Sequence, residues 1–157
     1  MKEHYTTKTG VILEANIKLK VKKIADKYYS STQKGIVITS GKRTSKSQAE
    51  AMYGKLVGGD KLAVYKNRVA AQEIKKSYDD AVTAKKLKPQ VIQSIKSTID
   101  SQILKKVYIS KHLRKGAIDV RSRDMTPNEK IKFKTAALGV ATKVILEVTP
   151  PHFHLQF

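Results

Sequence analysis

The sequence predicts an α+β fold, a small antiparallel sheet flanked by helices, in one domain of 157 residues. Three observations predict it. Apolar residues recur at helical spacing through the first two thirds of the chain, short β-branched runs dominate the last third, and no linker or low-complexity tract separates them. Hydrophobic residues make up 40% of the chain, enough to build a core and to exclude a disordered one.

Leu13, Ile17, Val21, Ile24 and Tyr28 fall three or four residues apart, the apolar face of a helix whose other face carries lysines. GIVITSG, residues 35–41, reads as a short buried strand bracketed by glycines. Ser45 followed by Gln48 has the form of a capping box and starts a second helix, which Gly58 and Gly59 stop. Residues 60–106 read as a basic helical insertion. Val91, Ile95, Ile99 and Ile103 keep helical spacing there, and Pro89 suits a first turn. The lysine-rich TAKKLKP, residues 83–89, is the solvated turn of a helical hairpin that covers the core, with lysines free to meet an anionic partner. VYIS (107–110), AIDVR (117–121) and KVILEV (143–148) are strand-like by their β-branched content, and the alternating HFHLQF (152–157) is a last strand. Between them, Thr126-Pro127-Asn128-Glu129 opens a helix with a capping box and proline in the first turn; it ends near Gly139.

Bulk properties narrow the chemistry. There is no cysteine, which excludes disulfides, thiolate metal sites and thiol nucleophiles, so any metal must be held by histidine and carboxylate. The net charge of +19 predicts attraction to a polyanion: nucleic acid, an anionic cell-wall polymer or a membrane surface. Aromatic residues are only 6%, with no recognition motif or stacking platform, which argues against nucleic acid. The longest apolar run, about 136–146, is broken by Gly139 and Lys143, so no membrane span is expected. MKEHYTTKTG lacks the apolar stretch of a secretory signal, so the expected protein acts where it is made or is delivered by another route.

Three of the four histidines fall in SKHLRKGAID (110–119) and PPHFHLQF (150–157). Side chains two apart on a strand share a face, so His152 and His154 would stand side by side with Phe153 in the opposite layer. Both can bind one metal, or one can bind while the other handles protons; the plainer reading is two hydrogen-bonded histidines on an edge strand. His112 lies seven residues before Asp119, a spacing that suits a loop histidine and a strand carboxylate, with small Gly116 and Ala117 letting the backbone turn. Asp119 lies between Ile118 and Val120, where a carboxylate is costly unless it binds a cation or pairs with an arginine such as Arg121 or Arg43. Two histidines and one carboxylate form the usual protein donor set for catalytic zinc, with a fourth position left for water.

These residues resemble a known family. Ser110, His112, Ala117 and Asp119 match SxHxxGxAxD, followed by a C-terminal HxH, and upstream VITSGKRTSKSQ (37–48) resembles the family's strand-ending SGxR before a helix carrying Gln. The three motifs stand in the order found in the D-alanyl-D-alanine carboxypeptidase type of zinc peptidase. That group includes phage endolysins and vancomycin-resistance dipeptidases, and shares its metal-site core with lysostaphin-type enzymes and hedgehog domains. The resemblance spans the chain from about residue 37 to its end. It implies a Zn2+ peptidase cutting stem peptides or cross-bridges of bacterial peptidoglycan, with His112, Asp119 and His154 as metal ligands. His152 would be the catalytic base or transition-state stabiliser, and Arg43 would bind the substrate carboxylate or stabilise the oxyanion. Gln48 and Ser110 would hydrogen-bond substrate. The family's habits suggest a phage protein released from the host cytoplasm with a holin's help, or one carried in the virion beside other virion proteins.

The chain departs from the family pattern at two places. Lys115 replaces the motif glycine, which follows one place later at Gly116. The acid that many relatives carry three positions before their last ligand is missing: Thr149 stands there if His152 is that ligand, Pro151 if His154 is. Glu147 is the nearest acid, and serves as a base only if the Pro150-Pro151 segment turns it inward; otherwise it is a surface carboxylate. The competing expectation is a basic structural or nucleic-acid-binding virion protein that keeps a peptidase-like fold without activity.

Overall fold

The computed structural model describes residues 2–114, 116–148 and 150–157. Among them the order is β1 (Tyr5–Thr7), α1 (Ala15–Thr32), β2 (Ile36–Ser40), α2 (Ser45–Val57), α3 (Arg68–Thr83), α4 (Lys88–Leu104), β3 (Ala117–Arg121), α5 (Pro127–Leu138), β4 (Lys143–Val148) and β5 (Pro151–Gln156). This is the expected α+β class. The sheet has the order β1-β2-β3-β5-β4 and is mixed rather than wholly antiparallel. β1 runs parallel to β2, because the α1 crossover between them returns the chain in the same direction. The remaining pairs are antiparallel. The sequence gives no signal for β1: it has three residues, and only Tyr5 is even partly buried.

The chain divides into two compact units, Met1–Lys42 with Arg114–Phe157, and Arg43–Leu113. The first contains the whole sheet with α1 and α5. Ile17, Val21, Ile24, Ala25 and Tyr28 of α1, with Phe133, Ala136 and Ala137 of α5, pack on one sheet face against Ile36, Ile38, Ile118, Val120, Phe153 and Leu155. The centre is aromatic: the Phe133 ring lies 4.7 Å from Phe153 and meets Tyr28 edge-on at 5.8 Å. Helix α5 begins as its sequence requires. The Thr126 hydroxyl accepts from the Glu129 N–H, and the Glu129 carboxylate accepts from the Thr126 N–H.

The second unit packs α2, α3 and α4 around Ala49, Met52, Leu62, Ala71, Ile74, Ile95 and Ile99. Three expectations need correction here. The N-cap of α2 is Thr44, whose hydroxyl accepts from the Ser47 N–H; Ser45 is already helical. The start of the stretch expected to be helical, up to Asn67, is loop, because Leu62 takes a left-handed φ of 56° to bury its side chain and Asn67 caps α3. VYIS is not a strand. The left-handed Lys106 turns the chain out of α4, and Ile109 is buried in the helical core, so packing overrides β-propensity. Among the described residues no helix is long and apolar enough to cross a membrane.

Glu129 allows a pH prediction. The Lys34 ammonium at 2.6 Å, then the Thr126 N–H, hold its carboxyl below the ordinary carboxylate range. A depressed folded-state value stabilises above the unfolded-state value and is lost as pH falls through the folded one. The melting temperature of Glu129→Gln should therefore lie below that of the wild type at pH 7, and the gap should close on acidification below pH of about 4.

Candidate metal centre

The last strand, β5, lies between β3 and β4 and so is an interior strand rather than an edge. Its register sets His154 opposite Asp119 of β3 and Ile145 of β4, and His152 opposite Arg121 and Glu147. The two-residue strand period does the rest. Phe153 and Leu155 enter the core beside Ile118 and Val120, which leaves His152, His154 and Asp119 together on the face turned away from α1 and α5. An irregularity in the β2–β3 pairing brings Ser40 opposite Asp119.

Asp119 is 7% exposed. Its Oδ1 lies 2.9 Å from His154 Nδ1 and 3.6 Å from His152 Nε2, so the buried carboxylate meets imidazoles. Arg121, at the end of the same strand as Asp119, contacts Asp124 at 3.8 Å.

His112 is 4% exposed and sits in the turn before β3. Ser110 Oγ accepts from its N–H at 3.2 Å, and its carbonyl accepts from the Arg43 N–H at 2.8 Å. The SGxR and SxH segments are thus joined through backbone. Gly116, at φ 98°, turns the chain into β3, a conformation L side chains rarely adopt. Ligand atoms of His112, Asp119 and His154 all lie within 4.8 Å of one another. Two imidazoles and a carboxylate, converging and shielded from water, can hold a metal ion.

Beside this triad stands a second pair. His152 Nε2 lies 2.7 Å from Glu147 Oε2, and its Nδ1 lies 2.5 Å from the Pro150 carbonyl. A carbonyl only accepts, so Nδ1 is the donor there and Nε2 is the nitrogen that faces the Glu147 carboxylate. Glu147 stays exposed on β4, a surface carboxylate rather than one folded inward, and it reaches His152 because β4–β5 register sets the two residues opposite each other. Gln156, which the motifs do not touch, places its amide Nε2 3.2 Å from His154 Nε2. Only the period-two pattern, His152, His154, Gln156, hints at it.

The other expected residues are placed as follows. Arg43 Nη1 donates to Gln48 Oε1 at 3.3 Å. Gln48 is fully buried and also meets Tyr65 Oη at 3.5 Å, so it supports Arg43 rather than reaching a substrate itself. Ser110 uses its hydroxyl on the His112 backbone. Lys115 and Thr149, where the chain departs from the family pattern, lie outside the described residues. No family model, curated protein or solved structure matches the chain.

The glycine of SGxR has a steric reason. A Cβ on Gly41 would stand 2.3 Å from the Ile12 carbonyl oxygen, and the next residue, Lys42, donates its N–H to that same oxygen. Gly41→Ala should therefore cost about 1–3 kcal/mol, seen as a lower denaturant midpoint at unchanged slope.

Proposed function

We propose that this chain is a zinc peptidase of bacterial peptidoglycan, with a fold of the D-alanyl-D-alanine peptidase and hedgehog kind. The observation that carries the reading is the convergence of His112, Asp119 and His154, the donor set of a catalytic zinc site. The ordered motifs around SGxR, SxH and HxH add to it.

Zinc held by these three residues would supply Lewis acidity, polarising the scissile carbonyl and lowering the pKa of water. The chain's own groups do the rest. His152, whose Nδ1 donates to the Pro150 carbonyl, sets Nε2 against Glu147; it serves as base when Nε2 is bare, or as a donor to developing negative charge when Nε2 carries a proton. Glu147 takes the acid's place in this arrangement, through register rather than through the family's spacing. Arg43, with its planar fork kept in place by Gln48, would bind the carboxylate of a stem peptide or the oxyanion. Ser110 would act by setting the His112 backbone. A net charge of +19 suits an anionic wall, and release with a holin's help or carriage in a virion is the delivery this reading implies.

The test is hydrolysis of a panel of defined muropeptides. Cleavage should stop with a chelator, return with zinc and be absent in His154→Ala. His152→Ala should keep its zinc and lose about 100-fold or more in kcat. Cleavage that survives metal removal would contradict the reading. Zinc-loaded protein that cuts no member of the panel would favour the basic binding protein instead.

A further inference from the structure

The unit Met1–Lys42 with Arg114–Phe157 has seventeen basic and seven acidic residues, a net +10. That charge is not spread evenly. Residues 15–34 and 127–138, the helical layer with the turn after α1, carry nine lysines against Asp26 and Glu129, a net +7. This layer covers the sheet face opposite His152, His154 and Asp119.

The lysines are also ordered. Lys20, Lys23 and Lys27 recur at three and four residues, one stripe of α1 about 10 Å long. Lys27 lies beside Gly139 at the end of α5, its Nζ 3.1 Å from where a Cβ would stand, and Lys132 Nζ donates to the Ser31 carbonyl at 3.1 Å. The stripe therefore runs along the seam where α1 and α5 pack antiparallel. Lys23 and Lys27 are exposed and form no ion pair among the described residues. Lys20 lies over the Phe157 ring at 5.4 Å, which keeps its ammonium at the surface.

We propose that this seam is an anchoring surface for a linear phosphate polymer without bases, of the polyol-phosphate kind. A linear cation array fits a linear anion. The aromatic residues of the two helices offer no stacking platform, since Tyr28 and Phe133 are buried and Tyr29 is stacked on His4 at 3.8 Å. Because the seam and the metal-site residues of the sheet lie on opposite faces, a bound polymer would tether the protein without covering them. The choice of a wall polymer rests on the peptidase reading; the cationic surface itself does not.

The test is binding of the full chain to purified poly(glycerol phosphate) at several salt concentrations. Lys23→Glu/Lys27→Glu should weaken binding at least about tenfold and flatten the salt dependence, with unchanged zinc content and melting temperature. Lys85→Glu/Lys86→Glu, an equal charge change in the exposed α3–α4 turn, should weaken it much less. Equal losses in the two variants, or no loss in the first, would overturn the surface. A single-stranded oligonucleotide of equal phosphate number binding more tightly than the polymer, with the same lysine dependence, would overturn the polymer assignment in favour of nucleic acid. Wild-type protein that takes up no zinc and cuts no muropeptide, yet binds the polymer with this lysine dependence, would sink the peptidase reading and leave the anchoring surface standing.

Discussion

Asp119 is an ionisable group in the middle of a five-stranded sheet, nearly closed to water, and the rest of the site is arranged around offsetting the cost of putting it there. A carboxylate buried between Ile118 and Val120 needs donors or a cation on its own face. β5 supplies His154 directly opposite and His152 on the diagonal, and the turn before β3 supplies His112. The two imidazoles that converge on it in the triad are themselves buried or nearly so, which makes the cluster a poor surface ornament and a good ligand set.

That arrangement depends on register. Slipping β5 by one residue would send both histidines into the aromatic core and Phe153 to the site. What prevents the slip is the fit of Phe153 against Phe133, and of Leu155 into the same layer, so apolar packing on one face fixes the chemistry of the other. The same register puts Glu147 against His152, and two residues later on β5 puts the Gln156 amide against His154. Outer partners of this kind orient imidazoles and fix their tautomers, and here they come at no cost in sequence spacing.

Much of this is legible in the sequence where local pattern carries the information. AIDVR and KVILEV are strands with the expected bounds, the Thr126 capping box forms, and His112, Asp119 and His154 meet. Other features depend on contacts that a linear reading does not hold. YTT becomes a strand only because α1 returns the chain beside it, and VYIS fails to become one because Ile109 has a helical core to enter. Thr44 rather than Ser45 caps α2, and Gln48 is buried and tied to Arg43 rather than open to solvent. Glu147 lies five residues from His152 in sequence, yet the hairpin makes them cross-strand neighbours. The strand order, with β5 inside rather than at the edge, is likewise a property of topology.

On the proposed reading, Asp119, His112 and His154 hold one metal ion. X-ray absorption at the zinc edge of the purified, zinc-loaded protein tests it most directly. The expected spectrum is that of a low-coordinate shell of oxygen and nitrogen donors with two imidazoles, at distances of about 2.0–2.2 Å, falling to one imidazole in His154→Ala. A shell without imidazole, or one unchanged in that variant, would contradict it.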